Sequence, residues 1–193
     1  MRETKNIILC GVGGQGTILT SKVLSNCLMK AGYDVKMSEV HGMAQRGGSV
    51  TTQVRFGDYV HSPIMGKGSA DILVAFEKME ALRYLDMIKP EGKVILNDYE
   101  IASSTVLAGE EEYSSLILEE VTNAANASVL NACKIAGNIG NVKAMNIVLL
   151  GCLVKFMNLG ELDWDTAIRE NVKPSLVDLN IKAFYAGLGA VSN

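Results

Sequence analysis

The stretch NIILCGVGGQG, residues 6–16, constrains the fold more than any other part of the chain. Ile7, Ile8 and Leu9 form a short apolar run of the kind buried on both faces of a parallel sheet, and glycines end it. From Gly16 to about Lys30 the residues Ile18, Leu19, Val23, Leu24, Cys27 and Leu28 recur at helical spacing, with Gly32 behind them as a stop. A buried strand that turns on glycines straight into a helix is the opening unit of an open α/β sheet. Glycines permit positive φ and close approach, so backbone N–H groups at the helix start can face a phosphate without a charged side chain. Gly11, Gly13 and Gly16 satisfy G-x-G-x-x-G in the context a dinucleotide site requires, and Glu39 stands near the end of the second strand, where a ribose partner belongs. Against a dinucleotide, Gln15 puts a long polar side chain in the turn. The second strand also runs into His41 and a second glycine pair, Gly47 and Gly48.

Downstream, the alternation continues. DVKMSEV (34–40) reads as a strand, and SVTTQVRFG (49–57) as a strand exposed on one side. DILVAF (71–76) is a buried strand, 78–88 a helix stopped by Pro90, and KVILND (93–98) a strand. LILEEVTNAAN (116–126) reads as a helix and SVLNACKIA (128–136) as a strand. A buried helix over 142–158 and two closing helices near 163–172 and 175–187 follow, Pro174 suiting the first turn of the last. With 193 residues, 48% of them hydrophobic, there is enough chain for one sizeable core and no linker or repeat to divide it. The expectation is a single domain over 1–193, a three-layer Rossmann-like α/β fold with a largely parallel, mixed sheet and a helical C-terminal third.

Charge and cysteines narrow the function. Eighteen basic and 21 acidic residues give a net charge of −3 with no run of like charges that could hug a phosphate backbone, so nucleic acid is not an expected partner. Cys10, Cys27, Cys133 and Cys152 are scattered in apolar stretches without a CxxC pair, which predicts buried thiols and neither an iron–sulfur nor a zinc site. MRETKN lacks the pattern of a signal peptide, and AMNIVLLGCLVKFMNL (144–159) is short for a bilayer span and carries Asn146 and Lys155. A cytoplasmic protein with no membrane association is expected.

The joint occurrence of GVGGQG, SEVHGMAQRGGSVTTQVRFG (38–57), DILVAFEKMEALRY (71–84), KVILND and GNVKAMNIVLLG (140–151) resembles the gamma-type subunit of the 2-oxoacid:ferredoxin oxidoreductases, most closely in the indolepyruvate branch. The resemblance covers nearly the whole chain. It implies a complex that oxidatively decarboxylates aryl-pyruvates to acyl-CoA and reduces ferredoxin, with thiamine diphosphate and iron–sulfur clusters in a larger partner subunit and coenzyme A as co-substrate. This chain lacks a GDG…NN pattern for thiamine diphosphate and would be inactive alone; whether the isolated chain forms a homodimer is left open. The resemblance marks Gly11, Gly13, Gly14, Gln15, Gly16 and Thr17 as a loop facing an anion or cofactor. In the second glycine-rich loop it points to His41, Gln45, Arg46, Gly47, Gly48 and Ser49, Arg46 offering a fork of donors suited to carboxylate or phosphate. No catalytic or metal-binding residue is assigned.

Plainer alternatives stand beside these. The glycines could serve only to pack helix on strand, Arg46 to be a solvated surface residue, and His41 to hold its loop by hydrogen bonds. His61 and Lys67 sit in a turn, HSPIMGKG, that reads as surface, and Glu77 and Glu80 suit the positive end of a helix without chemistry. Asn146, inside an apolar helix, needs a partner such as a loop carbonyl. The competing function is a free-standing ATP- or NAD-binding module, which lacks the cysteine pairs many adenylating enzymes carry. An ordinary dehydrogenase would want a catalytic histidine, and none follows residue 61.

Overall fold

The computed structural model describes residues 2–42 and 47–191. Its chain order is β1 (Lys5–Val12), α1 (Thr17–Lys30), β2 (Asp34–His41), β3 (Ser49–Gly57), β4 (Ala70–Ala75), α2 (Lys78–Arg83) and β5 (Ile88–Asn97). Then follow α3 (Ser104–Leu107), α4 (Ile117–Ala124), β6 (Asn126–Leu130), α5 (Ala132–Ile139), α6 (Met145–Phe156), α7 (Trp164–Asn171) and α8 (Val177–Ala190). The six strands lie in the order β2-β3-β1-β4-β5-β6. β1, β4, β5 and β6 are parallel, and β3 alone runs the other way, between β1 and β2. The loop from β2 to β3 is too short for a crossover, so the two strands form a hairpin.

Strand alternation builds two unequal layers. Ile7 and Leu9 of β1 face α1, α6 and α8, and that cluster continues through Val74, Ile95, Leu150 and Phe184. Ile8 and Cys10 face the other way, onto Ala81 of α2 and Ile117 and Val121 of α4. α6 has no polar face: Met145 through Val154 are all buried between the sheet and α8. The backbones of α6 and α8 touch, for a Cβ on Gly187 would lie 1.9 Å from the Val148 carbonyl oxygen and one on Gly151 2.1 Å from that of Phe184.

Four sequence expectations change. SVTTQVRFG is no half-exposed strand but is mostly buried, since β3 has a neighbour on each side and helix α1 above it. Residues 128–136 split into the end of β6 and the start of α5, because Asn131 caps a helix: its Oδ1 accepts the Lys134 N–H at 2.7 Å. The helix expected over 78–88 ends at Arg83; a 3-10 turn spans Leu85–Met87 and β5 already begins at Ile88. Pro90 therefore stops no helix. It is exposed at the irregular start of β5, where the register with β4 shifts and no ladder donor is required.

Candidate functional site

β1, β2, β4 and β5 all end, and β3 begins, at one edge of the sheet, which gathers both glycine-rich loops with Phe76, Glu77 and Asn97. The crevice outside the carboxyl ends of parallel strands is where open α/β sheets bind ligands.

The first loop, residues 11–16, is held from below. Gln15 turns inward and is buried: its Oε1 accepts the Val12 N–H at 2.7 Å and its Nε2 donates to the Phe76 carbonyl at 2.9 Å. It occupies the space a side chain on Gly11 would need, since a Cβ there would lie 2.8 Å from Gln15 Oε1. Asn97 Nδ2 donates to the same Phe76 carbonyl at 3.0 Å, and its Oδ1 accepts the Ala132 N–H at 2.9 Å. Asn146 donates to the Gly16 carbonyl at 3.3 Å, which supplies the loop-carbonyl partner its burial demanded. Gly16 has φ 86°, and a Cβ there would come within 2.5 Å of Asn146 Nδ2. Thr17 is buried. What the loop shows outward is backbone: Gly14 is exposed with φ 101°. The Thr20 N–H to Gly16 carbonyl bond closes the first turn of α1 and leaves the three preceding amides of that turn without helical partners.

The second loop is tied to the first. Gly13 N–H donates to the Gly48 carbonyl at 2.8 Å, and Gly42 N–H to the Ser49 carbonyl at 2.9 Å. Ser49 Oγ donates to Glu80 Oε2 at 2.5 Å, and Glu80 Oε1 accepts from Arg83 Nε at 3.1 Å. His41 is half-exposed, with Nε2 3.6 Å from Glu39 Oε2. Gly47 has φ 80°. Gln45 and Arg46 lie outside the described residues.

The structure therefore brings Gly11, Gly13, Gly14, Gly16, Thr17, Gly47, Gly48 and Ser49 to one place, with His41 on the neighbouring strand end. Gln15 turns inward there and braces the loop. Glu39 does not reach the first glycine turn as a ribose partner would: β3 separates β2 from β1, and Glu39 accepts instead from Ser21 Oγ at 3.2 Å. His61 stacks edge-on against Tyr59 at 4.6 Å, and Lys67 pairs with Asp86 at 2.7 Å.

Sequence reasoning undervalued Glu77 and Glu80. Both are buried. Glu77 caps α2, accepting the Glu80 N–H at 3.0 Å; it also accepts the Ile101 N–H at 3.2 Å and a short bond from the Tyr113 hydroxyl. The available signal was their placement: two acids three apart, directly behind the buried strand DILVAF. Burial first, then the bond to Glu77, pushes the Tyr113 phenol pKa up. Burial, with the Glu80 and Glu77 charges, raises the Cys10 thiol well above its ordinary value. Cys27 and Cys152 are pushed up to about 11 and about 12, chiefly by burial. None of these thiols is poised as a nucleophile at neutral pH. Among the described residues no group of three or more His, Cys, Asp or Glu side chains could hold a metal ion. Among the described residues the first loop offers this edge the unpaired first-turn amides of α1, with His41 and Ser49 beside them.

Residues 6–190 match the family described as pyruvate ferredoxin/flavodoxin oxidoreductase. The chain is 42% identical over 187 residues to indolepyruvate oxidoreductase subunit IorB of Archaeoglobus fulgidus, covering 94% of this chain and 92% of that one. It is 41% identical to the IorB subunit of Pyrococcus horikoshii, covering 96% and 95%. The same fold occurs in the gamma subunit of a keto/oxoacid ferredoxin oxidoreductase from Geobacter sulfurreducens, with TM-score 0.69, 22% identity and 95% of each chain covered. It also occurs in a 2-oxoglutarate:ferredoxin oxidoreductase from Magnetococcus marinus with 2-oxoglutarate, coenzyme A and succinyl-CoA bound. That match has TM-score 0.76 and 18% identity, and covers 100% of this chain and 32% of that one.

Proposed function

Since this chain belongs to the pyruvate ferredoxin/flavodoxin oxidoreductase family, we propose that it is the gamma-type subunit of an indolepyruvate ferredoxin oxidoreductase. The observation that carries the branch is identity of about two residues in five with IorB subunits over nearly the full length of both chains. The complex would oxidatively decarboxylate an aryl-pyruvate, transfer the acyl group to coenzyme A and reduce ferredoxin.

The donor sets support a division of the bound groups between this chain and its partner. Thiamine diphosphate with its metal, and iron–sulfur clusters, need carboxylate or thiolate ligands that the described residues do not assemble. Those groups are assigned to a larger partner subunit. Coenzyme A fits better, because its phosphates suit a glycine turn followed by first-turn helix amides without helical partners. Gly14, the first-turn amides of α1 from Thr17 onward, and the Gly47–Ser49 stem are assigned to that anion or to the partner's cofactor edge. Gln45 and Arg46 are assigned to the same loop on the resemblance alone. The protein's own residues position and exclude water; no proton or electron step is given to them.

The chain is placed in the cytoplasm, in keeping with its four free cysteines and with the absence, among the described residues, of a helix long and apolar enough to cross a membrane. The whole of 1–193 is taken as one unit, supported by a six-stranded sheet whose helices pack on both faces.

Anaerobic affinity capture of this chain with its partner, followed by indolepyruvate- and coenzyme A-dependent viologen reduction, tests the proposal. A large cluster-bearing partner and that activity are expected. Capture of an active complex that prefers pyruvate or 2-oxoglutarate would overturn the branch. A chain that elutes alone from lysate retaining the activity would overturn the subunit reading.

A further inference from the structure

A cleft of about 540 Å³ opens at the other end of the sheet, at the amino-terminal ends of β1, β4 and β5, away from the glycine loops. Its apolar base follows strand register: Ile7 pairs with Ile72, and Ile72 with Lys93. One wall is Tyr33 and Phe56, edge to face at 5.2 Å, with the Arg2 guanidinium 4.0 Å from the Tyr33 ring centre. The other is Phe156 at the end of α6, with the Lys93 ammonium 4.5 Å from its ring centre. Asn158, with φ 55°, turns the chain there so that Met157 and Leu159 also line the cleft.

The cations of this cleft differ in what they hold. Arg2 is paired with Asp58 at 2.6 Å, while Asp71 is shared between Lys89, in a short bond, and Lys5 at 3.8 Å. Lys93 is half-buried and makes no ion pair among the described residues; its contact is the Phe156 ring. A partly desolvated ammonium beside an aromatic face is a receptor for an anion whose body is apolar. Two aromatic walls favour a ring as that body. A single available ammonium, with Glu3, Asp71 and Glu91 around the cleft, favours a monoanion over a phosphate.

We propose that this cleft binds a small aromatic carboxylate, its ring over Ile7 and Ile72 between the Tyr33–Phe56 and Phe156 walls and its carboxylate on Lys93. The volume lies within the span of small-molecule sites, about 300–1,000 Å³. The site is separate from the glycine loops and does not depend on the function assigned to them.

Calorimetric titration of the full chain with indole-3-acetate tests the site, with neutral indole and the Lys93→Gln variant for comparison. Saturable binding is expected, weakened about tenfold or more both for indole and for Lys93→Gln, as loss of one charge-assisted hydrogen bond implies. Amide shifts in a ¹⁵N spectrum of the unmodified chain locate the ligand whether or not the variant folds, and are expected at Ile7, Ile72, Lys93 and Leu159. No saturable binding would overturn the proposal. So would equal affinity of the folded variant, or shifts gathered at residues 13–17.

Discussion

The two ends of the sheet are held in opposite ways. At the carboxyl end, neutral amide side chains do the fastening: Gln15 and Asn97 converge on the Phe76 carbonyl, and Asn146 holds that of Gly16. All three are buried. At the amino end, partly exposed ion pairs fasten the chain, Arg2 to Asp58 and, between β5 and β4, Lys89 to Asp71. Buried neutral bonds resist salt and pH and cost the whole desolvation of an orphaned group when broken, whereas exposed ion pairs contribute little. A loop that must present backbone amides in fixed positions gains from the first kind of support.

The comparison breaks most sharply at Gly16. Gly16→Ala forces a left-handed conformation on a residue with a Cβ and drives that Cβ against Asn146. Together these should cost about 3 kcal/mol, read as a lower urea midpoint at unchanged slope. Asn97→Ala orphans the Ala132 N–H in a fully buried place, and a loss of about 2 kcal/mol is expected by the same measurement. Gln15→Ala leaves the Val12 N–H unpaired and should cost a similar or slightly smaller amount. A loss under about 0.5 kcal/mol at both amides would show that the carboxyl edge is not fastened as described.

Glu80→Gln sharpens the contrast inside the site edge. It keeps an acceptor for Ser49 but removes the charge facing Arg83, so stability should fall by about 1 kcal/mol. If the complex takes coenzyme A at this loop as proposed, its KM for coenzyme A should rise with little change in kcat, because the stem of the second loop loosens. A fall in kcat at constant KM would detach Glu80 from substrate positioning.

The smallest effect belongs to the amino end. The Asp58 carboxyl is held below its ordinary value by the bond from the Arg2 side chain and then by the Arg2 backbone N–H. Asp34 is lowered by Lys36 and then by the Val60 N–H. For a lowered carboxyl the stabilisation is complete above the unfolded value, about 3.9, and is lost as pH falls through the folded one. Arg2→Ala should therefore lower the urea midpoint slightly at pH 7 and flatten the acid limb below about pH 4 by the same amount, so that the variant and the unmodified chain converge in acid. An unaltered acid limb would remove Arg2 from that account.

Much of this molecule is legible in local patterns, for physical reasons that can be named. The apolar run Ile7–Leu9 and the glycines behind it fix a buried strand and a tight turn wherever the rest of the chain goes. The spacing of Val23, Leu24, Cys27 and Leu28 does the same for α1. Residues 128–136 misled because SVL and ACKIA are both apolar and short, and the cap that divides them, Asn131, acts through one hydrogen bond to a backbone amide. The two glycine turns were legible as turns at strand ends because the freedom they need is carried by residue type. The role of Gln15 was not: the same amide serves a ligand or a core, and which it does depends on Phe76, sixty-one residues away.

By itself the sequence determined the strand–glycine turn–helix opening, the α/β class and, through the joint spacing of its blocks, the family. Those follow from interactions within a few residues or from patterns the chain carries whole. Only the tertiary structure decided that β3 enters antiparallel between β1 and β2, which moves Glu39 one strand away from the glycine turn. It alone decided that Glu77 and Glu80 are buried at the sheet's carboxyl edge, and that Lys93 lies over the Phe156 ring in a cleft. Strand order, burial and the pairing of charges depend on contacts between residues far apart in sequence, and local propensity carries no record of them.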